Sequence, residues 1–473
     1  MKKLVSVLIL ILLISSSVST FRSQGAESPN TLPTGSQLSR RALGPWSDWG
    51  HYHNYTEIVD SLLFLNQTYP DIVDVFSIGL SWLGREIYCI KLTNESITRQ
   101  KPKLLFVGYH HAREPISAEL ALYFVVDAAT RYGTNPILTE IIDETELFVV
   151  VAVNVDAFDV VNQNKWQRKN IRPIDEDGDL LFDEDPPDDA DGDGYIEDLI
   201  FSNGTYYEVL GWEGLDDDSD GSFNEDWIGG VDLNRNYGYE WNASVDSGSL
   251  DPHDEDYRGP APFSEPETQA MRDFALQHDF KYAVSLHSGA ELVIYPWGYS
   301  GNPTSDVIVF NEMASDLATL TSSTYQQGGT WYTTSGVWDD WMYGNRSSFA
   351  FTCEIYMNDS AWQYEPGPDP DTWWESGVFE YFNPDPTQIG TMIQQWLPIF
   401  TYLASRAMEH DILGDADEDR DVDIFDLVKM ATIYGIVKPD PDYDPTCDWD
   451  SDGDIDIFDI VTAARNYGTI WQP

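Results

Sequence analysis

The chain has 473 residues, more than one hydrophobic core usually fills, so we expect about two to four structural units. Hydrophobic residues make up 42% of the chain and aromatic residues 14%, which argues against global disorder. A formal net charge of -55 argues against nucleic acid or an anionic membrane surface as a partner, and it favours basic peptides and divalent cations.

The N-terminus is typical of an export signal. Two lysines precede the apolar run Leu4–Leu13, and a small polar stretch, Ser15–Thr20, follows it. Because the run is too short to span a membrane, we predict a signal peptide over 1–25 and a linker over 26–48; a retained membrane anchor is the alternative. No later segment is apolar for about 18 residues. We therefore predict a secreted chain, extracellular or attached to a cell surface, with no transmembrane segment after cleavage.

Apolar runs typical of strands then alternate with runs of helical spacing. Strands are predicted over 74–81, 87–93, 103–109, 146–153, 282–286 and 349–355, and helices over 55–67, 116–131, 265–278, 305–321 and 387–409. Several strands are apolar on both faces, which is typical of a covered sheet. The pattern predicts an α/β fold over 49–410, with a mixed central β-sheet sandwiched by helices.

An acidic insert is predicted over 174–229. Its segments 175–179, 189–194 and 216–221 alternate carboxylates with glycine or serine, but none has a carboxylate at the twelfth position of a loop. We predict calcium-ordered surface loops here, and a disordered acidic flap is the alternative.

Chemistry-bearing motifs follow the strands. His111 and Glu114 stand three residues apart just after the strand that begins at Lys103, so both could reach one zinc ion, although a lone motif of this kind is common. The further motifs are Trp166–Asn170, Val231–Asn236, Ser285–Ser288, Tyr295–Gly298, Tyr332–Trp341 and Phe349–Glu354.

In this order, and with Tyr332 and Glu354 at the family's spacing, the motifs resemble those of the zinc metallocarboxypeptidases of the A, B and T types. The resemblance runs from about Tyr52 to Arg406. It implies a hydrolase that removes C-terminal amino acids from peptides and proteins with one zinc ion. By matching position it implies His111, Glu114 and His287 as zinc ligands. It implies Glu354 as the general base and Arg168 as the group that polarises the scissile carbonyl. For substrate binding it implies Asn234 and Arg235 as the residues that hold the terminal carboxylate, Tyr332 as the residue that closes over it, and Arg113 as a residue lining the cleft.

Specificity is predicted at one position. In the resembling family, the residue before the Asp340–Trp341 pair lies at the base of the pocket for the C-terminal side chain, and here it is Asp339. A buried carboxylate there favours Lys or Arg. The alternative is that Asp339 turns aside, which leaves a mixed preference for basic and apolar ends.

The C-terminal segment contains an acidic repeat of 33 residues. Carboxylates suited to calcium recur at matching loop positions: Asp415, Asp417, Asp419, Asp421, Asp423 and Asp426 in the first loop, and Asp448, Asp450, Asp452, Asp454, Asp456 and Asp459 in the second. An apolar helix follows each loop. We predict two calcium sites; a merely acidic tail is the alternative. The first loop has Arg420 where the second has Gly453, which predicts weaker binding in the first.

This repeat resembles the dockerin module, which implies a small all-α domain over 412–470 and a cohesin-like protein partner. The pairs Ile424–Phe425 and Ile457–Phe458 would then form two equivalent binding faces; the alternative is that they form the small core of the module.

Two rival functions remain. A relative that cuts cell-wall peptides is disfavoured by the presence of Asn234 and Arg235, because relatives of that kind usually alter these residues. An inactive adhesion or scaffold component would require a missing ligand or base, and none is missing from the motifs.

Overall fold

The computed structural model describes residues 50–161, 164–173, 182, 198–202, 207–212, 214–215, 229–243, 248–252, 254–366, 372–408, 414–416, 422–438, 440, 443–444, 447–449 and 453–468. The predicted signal peptide and the predicted linker therefore lie outside the described residues, as do the acidic motifs of the insert. The chain divides into two compact units, with the division between Ala404 and Ser405. Among the described residues, no helix combines the length and apolarity that crossing a membrane requires.

The elements of the larger unit alternate between helices and strands. In chain order they are α1 (Tyr55–Thr68), β1 (Val73–Leu80), β2 (Glu86–Leu92), β3 (Lys103–Val107), α2 (Pro115–Arg131), α3 (Pro136–Glu144), β4 (Glu146–Val150), α4 (Ala157–Val160), β5 (Asp198–Ser202), β6 (Tyr207–Trp212), α5 (Pro266–Ala275), β7 (Phe280–His287), β8 (Ala290–Tyr295), α6 (Val307–Thr321), β9 (Thr324–Gln327), α7 (Gly328–Trp331), α8 (Trp338–Arg346), β10 (Phe349–Tyr356), β11 (Gln363–Pro366), β12 (Thr372–Ser376), α9 (Val378–Phe382), α10 (Ile389–Trp396) and α11 (Pro398–Met408), with short 3-10 turns at Leu233–Arg235 and Pro386–Gln388.

Eight of these strands form a mixed sheet in the order β1-β2-β4-β3-β7-β10-β8-β9. Strands β4, β3, β7 and β10 run parallel, whereas β1, β2 and β8 pair with their neighbours antiparallel, apart from the parallel pair β8–β9. The mixed central sheet that the sequence predicts is therefore confirmed.

Helices cover both faces of this sheet. Phe106 of β3 packs against Phe124 of α2 and Phe400 of α11, with ring centroids 6.0 and 4.5 Å apart. Phe148 of β4 is the register partner of Leu105, so its side chain lies on the opposite face, and there it packs against Phe274 of α5. Because these strands are apolar on both faces, both faces of the sheet need a covering layer of helices.

Two local expectations differ from the structure. The single helix predicted over 387–409 is broken, because Pro398 lacks the backbone N–H that would continue the helix from α10 into α11. Several short elements were not predicted, among them β8, α3 and α8, each of which has nine residues or fewer.

A second sheet, not predicted from the sequence, joins distant segments. It has four antiparallel strands in the order β11-β12-β5-β6. Strands β5 and β6 come from the predicted acidic insert, and the hairpin β11–β12 follows the strand that carries Glu354. The insert therefore contributes sheet structure as well as loops.

The smaller unit contains two matching helices, α12 (Ile424–Ile433) and α13 (Ile457–Arg465). Its core includes buried side chains from both repeats, among them Met430, Cys447, Ile455 and Ile460. An isolated bridge between Val437 and Asp454 connects segments of the two repeats.

Candidate active site

The predicted site residues meet at one edge of the main sheet. Strands β3, β7 and β10 are parallel neighbours, so their C-terminal ends lie side by side. His111 and Glu114 follow β3, His287 ends β7, and Glu354 lies near the end of β10 in register with His287. Sheet topology thus brings together residues that are up to 243 positions apart in the sequence.

Three buried side chains offer metal-ligating atoms to one point. Nδ1 of His111 lies 2.8 Å from one oxygen of Glu114, and Nδ1 of His287 lies 3.0 Å from the other. The two imidazole nitrogens are 3.1 Å apart. Burial alone would raise the pKa of Glu114, but the two histidines outweigh it and hold that pKa well below its usual value.

The outer nitrogens of both histidines have partners of their own. Nε2 of His111 lies 3.1 Å from Oδ1 of Asp232, and Nε2 of His287 lies 2.9 Å from the Ser285 hydroxyl. A hydrogen bond at Nε2 leaves the lone pair of Nδ1 directed at the shared point. Burial alone would raise the pKa of Asp232, but the charges of Arg168 and His111 outweigh it and hold that pKa well below its usual value.

This donor set fits zinc. His111, Glu114 and His287 are the group of three potential ligands found among the described residues, and their ligand atoms lie within 4.8 Å of one another. Nitrogen and carboxylate donors, with three protein ligands, are typical of catalytic zinc sites that keep a further position for water or substrate. Two facing imidazole lone pairs beside a carboxylate are otherwise electrostatically unfavourable, so the arrangement calls for a cation.

Three arginines line the cleft, and two of them, Arg113 and Arg168, are each paired with a carboxylate. Arg168 is held by Asp232, whose Oδ2 accepts a hydrogen bond of 3.0 Å from its Nε. Arg113 donates from both terminal nitrogens to the two oxygens of Glu255, at 2.5 and 3.0 Å. Arg168 is thus oriented by a buried carboxylate, while the charge of Arg113 is balanced by a second carboxylate.

Arg235 is buried and has no carboxylate partner among the described residues. One terminal nitrogen donates to the backbone carbonyl of Asn234 at 2.9 Å, and the other lies 3.4 Å from the hydroxyl of Tyr332. Tyr332 is 47% exposed and stands at the mouth of the cleft. A buried guanidinium without a counter-ion suits an anionic ligand that enters from this side.

Glu354 faces the metal-ligating group and has no internal partner for its Oε2 atom among the described residues. Burial raises the pKa of this carboxyl to about 8, and repulsion from Glu114 adds to the effect. A carboxyl group with a pKa near neutrality can both accept and return a proton.

The adjacent residues Asp339 and Asp340 lie in the first turn of α8 and are both buried. Asp340 accepts hydrogen bonds from the backbone N–H groups of Gly298 and Tyr299 at 2.8 and 3.0 Å. It therefore holds the loop that contains these two residues in place. Asp339 instead lines the cleft. Burial raises the pKa of Asp339 to about 7.

The predicted calcium loops of the smaller unit are described in part. Asp417, Asp419, Asp421, Asp450 and Asp452 lie outside the described residues, whereas Asp415, Asp423, Asp426, Asp448, Asp454, Asp456 and Asp459 lie within them.

Both loops end in the same arrangement. Asp426 accepts hydrogen bonds from the N–H groups of Ala416 and Asp423, and Asp459 accepts them from the equivalent residues Trp449 and Asp456. The repeat seen in the sequence is therefore also a repeat in structure.

Sequence reasoning missed several residues of the site. Asp232, Ser285 and Glu255 each orient or neutralise a predicted residue, as described above. Asp232 lies within the motif Val231–Asn236, so its position two residues before Asn234 was the available signal. Ser285 lies two residues before His287, on the same face of β7. Glu255 has no such signal, because its partner Arg113 is 142 residues away.

Known proteins are similar to this chain in sequence. Mouse carboxypeptidase A6 is 27% identical over 344 residues, covering 70% of this chain and 66% of that protein. A zinc carboxypeptidase from Saccharothrix mutabilis subsp. capreolus is 26% identical over 342 residues, covering 68% of this chain and 65% of the relative. The chain thus matches slightly less than two thirds of the length of these relatives.

A solved structure has the same fold. The crystal structure of thrombin activatable fibrinolysis inhibitor superposes with a TM-score of 0.58 at 22% identity, covering 79% of this chain and 78% of that one. A family model described as zinc carboxypeptidase matches residues 58–395, which is more than half of the chain and includes every residue of the metal-ligating group. The chain therefore belongs to the zinc carboxypeptidase family.

Proposed function

We propose that this chain hydrolyses the last peptide bond of peptides and proteins that have a free C-terminus. The observation that carries the proposal is Arg235, a buried guanidinium with no carboxylate partner among the described residues, in the same cleft as Glu354. An endopeptidase has no use for such a group, whereas an exopeptidase needs one to bind the terminal α-carboxylate. Asn234 lies beside it, and the Tyr332 hydroxyl lies within reach of a bound carboxylate.

The residues of the chain divide the chemistry among them. Glu354 takes a proton from the attacking water and passes it to the leaving amine. Arg168 presents a fixed positive charge to the oxyanion that develops on the scissile carbonyl. Its hydrogen bond to Asp232 holds that charge in one orientation, so it need not reorganise during the reaction.

His111, Glu114 and His287 would hold the zinc ion. Zinc bound there supplies a Lewis acid that polarises the carbonyl and lowers the pKa of water. Asp232 fixes the tautomer of His111, because its ionised carboxylate only accepts hydrogen bonds, and Ser285 lies within hydrogen-bond distance of Nε2 of His287.

We propose further that basic C-terminal residues are preferred. Asp339 lines the cleft, and its carboxylate also interacts with backbone N–H groups at the start of α8, whereas Asp340 accepts hydrogen bonds from the loop that contains Gly298. A buried carboxylate at the base of a pocket attracts an ammonium or guanidinium and leaves an apolar side chain with a polar group to bury. The net charge of -55 also attracts basic peptides towards the surface.

The test uses three peptides that differ only at the C-terminus: free Lys, free Leu and amidated Lys. We expect release of Lys faster than release of Leu, no cleavage of the amide, and no cleavage of any peptide after treatment with a chelator. Cleavage of none of them with zinc supplied would support an inactive scaffold. Release of residues from the amidated peptide would contradict the role of Arg235.

For the smaller unit we propose calcium binding and attachment to a cohesin-like protein, as in a dockerin. Three of the four candidate contact residues support this: Ile424, Phe425 and Phe458 are exposed, at 43, 61 and 63%, while Ile457 is half-buried. Exposed apolar side chains at matching positions of a repeat favour a binding surface over a core. The core of this unit is made by other residues, such as Leu427 and Ile460.

Calcium fits the described part of the loops. Asp426 and Asp459 are fully buried carboxylates at the twelfth loop position, and Gly453 has the positive φ of +95° that a calcium loop uses at its sixth position. Calorimetric titration with calcium tests this directly, and we expect at least two binding events, two of them from this unit. We propose also that the chain is exported by its N-terminal segment and acts outside the cell, which N-terminal sequencing of the secreted protein would test.

A further inference from the structure

The two metal-ligating histidines have different partners at their outer nitrogens. Nε2 of His111 faces the ionised carboxylate of Asp232, which can only accept a hydrogen bond. Nε2 of His287 instead faces the hydroxyl of Ser285, at 2.9 Å. A hydroxyl can either donate or accept, so Ser285 by itself does not decide which nitrogen of His287 holds the proton.

A ligand role for His287 requires one direction of this hydrogen bond. A neutral imidazole has one proton, so Nδ1 can bind a cation only while Nε2 keeps that proton and donates it. Asn234 is oriented so that it cannot accept the proton: its Oδ1 atom accepts from the backbone N–H of Trp338, and its Nδ2 atom faces His287 at 3.4 Å. The oxygen of Ser285 therefore has to accept, and the hydroxyl hydrogen has to point elsewhere.

His110 lies where that hydrogen has to go. Its Nδ1 atom is 2.9 Å from the hydroxyl of Ser285, on the side of the hydroxyl that His287 does not occupy. At the far side of the same ring, Nε2 lies 3.0 Å from the hydroxyl of Tyr237. The four side chains thus form one continuous chain of hydrogen bonds, which runs from Tyr237 through His110 and Ser285 to His287.

The ring of His110 is held in place by its surroundings. It is fully buried and stacks on His287, with ring centroids 5.4 Å apart and planes within 11° of parallel. Its backbone carbonyl accepts a hydrogen bond of 3.2 Å from the side chain of Asn154. The preceding residue, Tyr109, has a φ of +59°, a conformation that residues other than glycine rarely adopt. This anchored turn keeps Nδ1 of His110 directed at Ser285.

One arrangement of protons satisfies the whole chain when Nδ1 of His287 is a ligand. His287 donates from Nε2 to Ser285, Ser285 donates to Nδ1 of His110, and Nε2 of His110 donates to Tyr237. Each of these hydrogen bonds has one donor and one acceptor, and the chain buries no net charge. Without His110, the hydroxyl hydrogen of Ser285 would turn to His287 and favour the tautomer that has its proton on Nδ1.

We propose that His110 is a positioning residue of the zinc site, which acts through Ser285 to keep the proton of His287 on Nε2. His110 is not one of the three converging donors, and it acts only through its hydrogen bonds. This inference rests on the proposed function, because it assumes that the three donors hold zinc. Tyr237 completes the chain by accepting from His110.

The experiment measures zinc affinity by competition with a chromophoric chelator, in a buffer that contains calcium and without reference to activity. His110→Leu removes the acceptor for Ser285 and should weaken zinc binding about 10- to 100-fold. His110→Asn has nearly the shape of the Leu variant but offers an amide oxygen to Ser285, so it should restore most of the affinity. The control is His278→Leu, which replaces a half-buried histidine in a separate aromatic cluster and should leave the affinity unchanged.

A double-variant cycle tests whether His110 acts through Ser285. Ser285→Ala should itself weaken zinc binding. Adding His110→Leu to it should have no further effect, because the hydroxyl that His110 orients is then absent. Additive losses would overturn the proposal, since they would assign His110 a role in packing alone. Equal zinc affinities of the wild type and His110→Leu would also overturn it.

The outcome is distinguishable from failure of the proposed function. A wild type that binds zinc and releases C-terminal residues, beside a His110→Leu variant of equal affinity, would overturn this inference alone. A wild type that binds no zinc would overturn both. If His110→Leu does not fold, Tyr237→Phe and Ser285→Ala take its place, because His110 lies between these two residues in the chain. Each should weaken zinc binding and their effects should not add, whereas additive effects would reject the proposal.

Discussion

Glu354 and His287 are register partners on the parallel strands β10 and β7. Neighbouring strands are about 4.8 Å apart, so the sheet itself fixes the distance between the proposed base and one metal-ligating residue. No loop has to fold correctly for these two residues to meet.

The first prediction concerns this relationship. Glu354→Gln should lower kcat about 10²- to 10⁴-fold, because the amide cannot accept the proton. Zinc content, measured on the purified protein, should be unchanged, since Glu354 is not one of the three converging donors. Glu291→Gln on the neighbouring strand β8, an exposed position, is the matched control and should be fully active. A variant at Glu354 with wild-type kcat would contradict the role.

The second prediction follows from Asp339, whose pKa is raised by burial to about 7. Only the ionised carboxylate attracts a basic side chain, so selectivity for Lys over Leu should increase with pH. Between about pH 6 and about pH 8 the ratio of the two kcat/KM values should rise about tenfold. Titration of Glu354 affects both peptides and cancels in the ratio.

Asp339→Asn provides the control for this pH dependence. The neutral amide should give a low and pH-independent ratio, with release of Leu maintained. A wild-type ratio that does not change over this range would argue that Asp339 does not contact the terminal side chain.

The third prediction concerns the partner of His111. Asp232→Asn should weaken zinc affinity about 10- to 100-fold, because the asparagine no longer fixes the imidazole by a charged hydrogen bond. Competition with a chromophoric chelator measures this affinity without reference to activity. Asp273→Asn, an exposed aspartate on α5, should have wild-type affinity. Equal zinc affinities in the two variants would contradict a role of Asp232 in orienting His111.

The fourth prediction concerns stability and Glu267, which is fully buried and accepts hydrogen bonds from Asn170 and from the backbone of Trp82. Burial raises its pKa to about 8 from an ordinary value of 4.5. The folded state therefore holds the proton more tightly than the unfolded state. The stabilisation contributed by protonated Glu267 is complete below the pKa that Glu267 has in the unfolded state. It is lost as the pH rises through the pKa that Glu267 has in the folded state.

The free energy of unfolding should thus fall by at most about 1.4 kcal/mol per pH unit between these two values. Urea unfolding at several pH values measures the slope. Glu267→Gln should flatten it, whereas Glu140→Gln at an exposed position of α3 should not. An unchanged slope in the Glu267 variant would assign the pH dependence to other groups.

The fifth prediction concerns calcium in the smaller unit. Its removal should loosen this unit first, because the carboxylates of the loops then repel one another. Limited proteolysis with a chelator should cut near Gly414, while the larger unit stays intact. Asp459→Asn should reduce the number of calcium ions bound by one. The same cleavage pattern with and without calcium would count against ion binding.

Much of this site can be predicted from the sequence because its residues lie at the ends of strands or in short motifs beside them. His111, Glu114, His287 and Glu354 are of this kind, and the order of the motifs specifies the family. Their roles in catalysis and binding stay predictions until the variants are measured.

The supporting residues could not be predicted, for physical reasons. Glu255 is an ordinary acidic residue in sequence, and its pairing with Arg113 exists only in the folded chain. The second sheet joins Leu199 to Trp374 across 175 positions of sequence, and local periodicity carries no information on such a pairing.

Strand β12 has hydrogen-bonded neighbours on both sides, β11 and β5, and β5 belongs to the acidic insert. A shortened protein without this insert would keep all of its proposed catalytic groups but would leave β12 as an unprotected edge, open to association with other chains. Efforts to reduce the negative charge of the protein should therefore replace acidic side chains outside the strands and retain the backbone that carries them.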